Sequence, residues 1–227
     1  EALAHAIKFR SIVYFFDGVH VEHGHMHEAA NRIDPRKFFL KKNLPEPILN
    51  LPFGSHFFVD FVMKIKEYRP YVDKVRPFRS FVQWGLLHDT FFTIKTMLRL
   101  FRFFIETGLS QNPKRQWGIK RIFQIAMESA VFPDLETSAQ AITNDERVHT
   151  VIFGHSHVYF YRQFNSTKEY FNTGTWTELT SLDISSLGKI TKLTYVMLEY
   201  REGDKRPRGR LKEWRGYYRV EKDVDVS

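Results

Sequence analysis

Two imidazoles one residue apart stand in Gly154-His155-Ser156-His157, directly behind the apolar run Val148-His149-Thr150-Val151-Ile152-Phe153. A strand ending in Gly-His-x-His delivers both rings to one edge of a sheet, with a glycine permitting close backbone approach, and neutral imidazole ligates Mn, Fe, Zn or Co. A second cluster, Val19-His20-Val21-Glu22-His23-Gly24-His25-Met26-His27-Glu28, again runs from a short apolar segment into histidines. The chain has no Cys, so thiolate ligation and disulfides are excluded, and His, carboxylate and amide oxygen are the available donors. The expected chemistry is metal-centred.

Those side chains need strands beneath them. Ser11 to Phe16 and Val19 to His23 read as two strands across an Asp17-Gly18 hairpin turn, both rich in Val, Ile, Tyr and Phe. Leu135 to Asn144 reads as a short helix and Val148 to Phe153 as a buried strand. Val158 to Phe164 and Tyr170 to Asn172 form a hairpin around Asn165-Ser166, and Ile190 to Tyr200 is a long strand. The basic run Arg201 to Arg215, containing Lys205-Arg206-Pro207-Arg208-Gly209-Arg210, is expected as a loop. Such runs are usually solvated, with contact to nucleic acid or lipid as the functional alternative.

Between the histidine segments the period becomes helical. Phe57, Phe58, Phe61, Val62 and Ile65 follow a 3.6-residue repeat that ends near Tyr68-Arg69-Pro70, and Phe78 to Leu87 is a second helix. A third, Thr90 to Thr107 closed by Gly108, has apolar residues over most of its surface and Lys95, Arg99 and Arg102 at i, i+4 and i+7. A helix of this kind lies in a bilayer interface with its cations toward phosphates, or packs in its own bundle with the basic stripe solvated. Three cations make a spanning helix the wrong reading. Lys114 to Val131 is a further helix, ended by Pro133.

Taken in order, His23-Gly24-His25, Gly154-His155-Ser156-His157 and Asn172-Thr173-Gly174-Thr175-Trp176 resemble the C-terminal half of the calcineurin-like metallophosphoesterases. That family's Asp-x-His, Gly-Asp-x-x-Asp and Gly-Asn-His-Asp/Glu motifs do not occur in these residues. The resemblance therefore implies the C-terminal portion of a longer catalytic domain, with this chain alone inactive. It implies an α/β fold, part of a four-layer α/β/β/α sandwich with a large helical insertion. Residues 1–51 and 134–227 would belong to the phosphoesterase domain and 52–133 to the insertion or cap.

The resemblance also implies two divalent ions, Mn, Fe or Zn, with His23 and His155 on one and His157 on the other. His25, His27, Glu28, Asn31 and Arg32 would face substrate or support the ligands, with Asn172 and Trp176 as scaffold. The implied reaction is hydrolysis of a phosphomonoester, phosphodiester or pyrophosphate bond by a metal-activated hydroxide. The insertion's position resembles the helical cap of UDP-2,3-diacylglucosamine pyrophosphohydrolases, which implies a lipid-linked or nucleotide-linked phosphorylated substrate. The competing class is a non-catalytic membrane- or nucleic-acid-binding module that keeps the histidines of a degenerate metal site.

Composition suits either class. A hydrophobic share of 43% over 227 residues argues against general disorder and for a sizeable core. A net charge of +8 draws the chain to anionic partners, and 22 Phe exceed what a small core needs. Glu1-Ala2-Leu3-Ala4-His5 lacks the basic start and apolar core of a secretory signal. The expected location is cytoplasmic, with membrane association through Lys95, Arg99 and Arg102.

Overall fold

A computed structural model describes residues 10–42, 44–76, 78–112, 117–130, 135–181 and 188–216. The first elements are strands β1 (Val13–Phe16) and β2 (Val19–Glu22), a 3₁₀ turn at His25–His27, and strands β3 (Phe39–Leu40) and β4 (Ile48–Leu49). Helix α1 (Phe53–Phe57) runs through a π-helical stretch, Phe58–Val62, into α2 (Met63–Lys66). Strand β5 (Val75–Arg76) and helices α3 (Phe78–His88), α4 (Thr90–Gly108), α5 (Ile119–Ala130) and α6 (Leu135–Thr143) follow. The chain then turns to strands β6 (Thr150–Phe153), β7 (Tyr159–Gln163), β8 (Glu169–Thr173), β9 (Leu179–Ser181), β10 (Gly188–Ile190), β11 (Leu193–Glu199) and β12 (Arg208–Trp214). The class is mixed α/β. Two compact units divide it, one holding the residues up to His23, Ala139–Thr177 and those from Thr191 on, the other holding Gly24–Ser138 and Glu178–Ile190.

The first unit is built on a five-stranded mixed sheet in the order β1-β2-β6-β8-β7. Asp17 and Gly18 both take positive φ, 45° and 80°, and Phe16 pairs with Val19 across them. This is the two-residue hairpin turn that Asp-Gly favours, because its twist matches that of the strands. Backbone N–H groups of His149 and Thr150 donate to Gly18 O at 2.8 and 3.2 Å, so the turn also positions the start of β6. Strands β2, β6 and β8 run parallel, while β1 and β7 are antiparallel edges. All of β6 is buried, as expected of a parallel strand covered on both faces.

Successive side chains of a strand point to opposite faces. On one face Val19, Ile152 and Phe171 form a buried cluster, closed by Val196, Leu198 and Leu211. On the other, Phe153 and Tyr170 meet edge to face with ring centroids 5.4 Å apart. The closing residues belong to the antiparallel pair β11–β12, which corrects the sequence expectation: Arg208–Trp214 is a strand within the basic run expected as a loop. The reason is period 2. Gly209 and Leu211 are partly buried and alternate with exposed Arg208 and Arg210, and Arg210 pairs with Glu199 at 3.1 Å. A Cβ on Gly209 would collide with the Phe171 ring, so glycine is what lets β12 cross β8 closely.

The second unit packs Phe53, Phe103, Ile122 and Ile125 into a buried cluster, surrounded by Ala29, Ala30, Phe57, Phe61, Phe104 and Trp117. Five of the 22 Phe thus serve one helical core. Phe57 and Phe61 stack at 5.2 Å, and Trp117 stands edge-on to Phe53 at 5.6 Å. The expected helix around Phe57 to Tyr68 starts earlier, behind Pro52, whose fixed φ suits an N-terminal position. A π turn within it leaves Ile65 buried and Val59 exposed. The expected strand Ile190 to Tyr200 is β11, Leu193–Glu199, while Ile190 ends β10, which joins β9 and β5 in a small separate sheet. Of the expected helix Lys114 to Val131, residues 119–130 are helical, while 114–116, 131 and Pro133 lie outside the described residues.

Candidate metal centre

Because β2, β6 and β8 are parallel neighbours, their C-terminal ends share one sheet edge. The register pairs Val21 with Ile152 and Phe153 with Asn172, so His23, Gly154 and Thr173 follow as the next row. The crevice beyond the carboxyl ends of parallel strands is the usual ligand position in such sheets. Gly154 N–H donates to His23 O at 3.2 Å, which carries the ladder one step past β2 and sets the two segments side by side. The side chains then meet: His155 Nδ1 and His23 Nε2 are 3.3 Å apart, with ring centroids at 5.1 Å and planes at 73°.

That separation fits two chemistries. Two ligand atoms about 2.05 Å from one tetrahedral ion lie about 3.35 Å apart, which matches the imidazole pair. The same distance lets one neutral ring donate N–H to the other. Both use the same two nitrogens, so an ion would replace the hydrogen bond rather than add to it. The donor set, two imidazoles without thiolate, suits Zn, Mn, Fe or Co.

The backbone of the His-x-His segment is strained. His155 and His157 have φ of 63° and 62°, a region that non-glycine residues enter rarely, His more often than most. Ser156 N–H donates to Gly154 O at 2.7 Å, making His155 the centre of a three-residue γ-turn of the rarer, positive-φ kind. Each left-handed residue costs about 1–2 kcal/mol, and such strain concentrates where a side chain must be aimed. Gly154 plays a lesser part than expected. A Cβ there would meet Thr173 Oγ1 at 3.5 Å and His23 Nδ1 at 3.8 Å, ordinary contacts, so no close backbone approach demands glycine.

What holds this edge is the strand behind it. Asn172, 1% exposed, donates from Nδ2 to Gly154 O at 2.7 Å and to Tyr170 OH at 3.2 Å, and accepts from Gly174 N–H on Oδ1 at 3.0 Å. One side chain therefore ties the histidine segment to the turn after β8. Thr173 Oγ1 donates to Phe153 O at 3.4 Å, Thr194 Oγ1 to Thr173 O at 2.6 Å, and Trp176 Nε1 to Thr194 O at 2.8 Å. Asn172 and Trp176 occupy the scaffold positions the sequence reading gives them. Thr194, buried and linking β8 to β11, is invisible in the sequence: a Thr in a β-rich run carries no local mark of the bond it makes.

Of the three expected ligands, His23 and His155 are brought together. Among the described residues no group of three or more His, Asp or Glu is arranged to hold an ion, so His157, which is exposed, does not join them in a three-ligand set. The remaining candidates belong to the other unit. There Glu28 O accepts from the N–H groups of Asn31 and Arg32 at 3.1 and 2.9 Å, and Arg32 Nε donates to Met26 O at 2.8 Å. Asn31 Nδ2 donates to the Glu28 carboxylate. A Cβ on Gly54 would strike the Asn31 side chain, and Gly54 N–H donates to Ala30 O at 2.7 Å. Glu28, Asn31 and Arg32 thus build the loop that carries His25 and His27 and seat it on the start of α1. Lys95, Arg99 and Arg102 are exposed on α4.

No protein-family model, curated protein or solved structure matches this chain.

Proposed function

We propose that this chain is the C-terminal portion of a dinuclear metal-dependent phosphoesterase that hydrolyses a phosphomonoester, phosphodiester or pyrophosphate bond. The reading takes the strands and helices as part of an α/β/β/α sandwich with a helical insertion. Its main support is the imidazole pair, His23 and His155, meeting at 3.3 Å beyond two parallel strands. A bound divalent pair would supply a hydroxide of lowered pKa and a clamp on phosphoryl oxygens. In this reading His23 and His155 hold one ion and His157 belongs to the other. Asn172 orients the His155 segment through the Gly154 carbonyl. The γ-turn at His155 sets the backbone from which its ring projects toward His23.

Cobalt titration of the chain, followed by visible absorption, tests the ligands without requiring turnover. Saturable binding that weakens at least 10-fold in His23→Ala and in His155→Ala is expected; affinities unchanged in both variants would sink the reading. With added Mn the chain by itself is expected not to turn over bis-p-nitrophenyl phosphate. Turnover that His155→Ala abolishes would show that these residues suffice. The non-catalytic alternative draws on the convergence of only two imidazoles among the described residues, and it wins if the longer protein binds the ion yet hydrolyses no phosphate ester.

A further inference from the structure

Leu87, Phe91, Ile94, Leu98, Phe101 and Ile105 recur at alternating spacings of four and three residues along the end of α3 and through α4, which places them along one helical stripe within α4. All six are exposed, Phe91 at 81%, Leu87 at 78% and Leu98 at 65%. The buried side of α4 carries Phe103 and Thr107 instead, so core packing already has its own face and the stripe lies outside it. An exposed row of large apolar side chains this long marks a surface that meets another phase or molecule.

The charges beside the row indicate which. Lys95, Arg99 and Arg102 are exposed, and each directly follows a stripe residue, Ile94, Leu98 or Phe101. Each therefore sits about 100° round the helix from its apolar neighbour, forming a cationic flank parallel to the stripe. Lys95 Nζ lies 6.0 Å from the Phe91 ring centroid, and Arg102 pairs with Glu106 at 2.7 Å. Glu106 is the one acid on α4 against three bases, so the flank stays positive. Among the described residues no helix is long and apolar enough to cross a membrane. A helix with an apolar stripe, a basic flank and too little hydrophobicity to span is built to lie in the headgroup plane. The helix is also held firmly from beneath. Arg69 donates to Asp89, just ahead of α4, at 2.6 and 3.1 Å while its guanidinium covers the Phe92 ring at 4.6 Å.

We propose that α4 docks this protein in plane on an anionic bilayer surface, with the Leu87-to-Ile105 row among the acyl chains and Lys95, Arg99 and Arg102 on lipid phosphates. Nothing in this depends on the histidine pair. Flotation of the 227-residue chain with phosphatidylcholine vesicles, with and without phosphatidylglycerol, tests it. Binding to the anionic vesicles is expected, weakening as salt rises. Lys95→Gln, Arg99→Gln and Arg102→Gln together should lower the partition coefficient about 100-fold, at about fivefold for each basic residue near the surface. Phe91→Ser, Leu98→Ser and Phe101→Ser together should abolish partition to both kinds of vesicle, and since these side chains are outside the core the far-ultraviolet circular dichroism should be unchanged. Absence of flotation, or flotation that the Gln variant leaves unaltered, overturns the proposal. So does sedimentation showing a dimer that the Ser variant dissolves while the wild type ignores vesicles, which would assign the stripe to a second copy of the chain.

Discussion

Replacing Asn172 by Ala removes three hydrogen bonds at once, leaving the Gly154 carbonyl with Ser156 N–H alone and taking from the Gly174 N–H its Asn172 acceptor. A buried polar group left without a partner costs about 1–3 kcal/mol. Only the Gly174 N–H bears that cost, since Gly154 O keeps Ser156 N–H, and because Gly174 is partly buried the lower end applies; the Gly154 carbonyl loses one hydrogen bond of about 1 kcal/mol. Adding the packing lost with the amide gives about 2–4 kcal/mol in all. Amide exchange of Thr150–Phe153 and Glu169–Thr173 across a urea series reads the cost in the unit that bears it. A loss under about 1 kcal/mol would refute the claim that Asn172 pins the histidine edge. Asn172→Asp sharpens the test. It keeps the acceptor for Gly174 N–H but sets a carboxylate oxygen where an N–H faced Gly154 O at 2.7 Å. The ionised form is disfavoured there, so the folded-state pKa lies above the unfolded one. The variant's deficit is complete above the folded pKa and shrinks as pH falls through it, when the acid regains a proton to donate. A deficit that is flat with pH would show that the Nδ2 donation contributes nothing.

Glu169 accepts from Thr150 Oγ1 at 3.0 Å and Gly209 N–H at 3.3 Å, yet burial outweighs both bonds and raises its carboxyl above the ordinary range. Folding then favours the protonated acid, so stability is greatest below the unfolded value near 4.5 and falls as pH rises through the folded one; Glu169→Gln should abolish that slope and be the more stable protein at pH 7, and parallel urea-midpoint profiles would contradict it. Gly18→Ala puts a Cβ 2.7 Å from His149 Cδ2 at φ +80° and should cost about 1–3 kcal/mol; an unchanged melting temperature counts against the turn's role in placing β6. At most sites Ala is more stable than Gly, but at His155, with φ 63°, His155→Gly should exceed His155→Ala by about 1 kcal/mol, while both lose cobalt; an Ala variant as stable as the Gly one would mean that no strain is stored there.

The parts of this fold that are legible in sequence are those with local causes. Asp17-Gly18 announces its hairpin because both residues tolerate positive φ, and the Val148 to Phe153 run announces a buried strand by having no polar face. The helical period from Phe57 onward reports the packing of Phe57, Phe61 and Ile65. Strand β12 was hidden because its inward positions are a glycine and a single Leu211 amid arginines, so charge masks the alternation. The Ile190 to Tyr200 run announces β11, but that its first residue closes a separate strand, β10, depends on which sheet each joins, and nothing local records that. At the site, the His-x-His and Asn-x-Gly-x-x patterns name the residues. What brings His155 to His23 is the parallel pairing of β2 with β6, a contact between segments more than a hundred residues apart that no local pattern encodes.

The same distinction bears on how the histidine edge works. A strained γ-turn at His155 opposes folding, and it persists because Asn172, itself fixed by Tyr170 and Gly174, holds the Gly154 carbonyl from behind. The His23–His155 contact contributes little to balancing that strain, since a hydrogen bond between two partly solvated imidazoles is worth about 1 kcal/mol at most. A structural role alone would therefore be met more cheaply by glycine at 155 and any small residue at 23. Keeping two rings in register against a left-handed backbone makes physical sense if their lone pairs must converge on something the rings bind more strongly than they bind each other, as imidazole nitrogens do with a divalent ion.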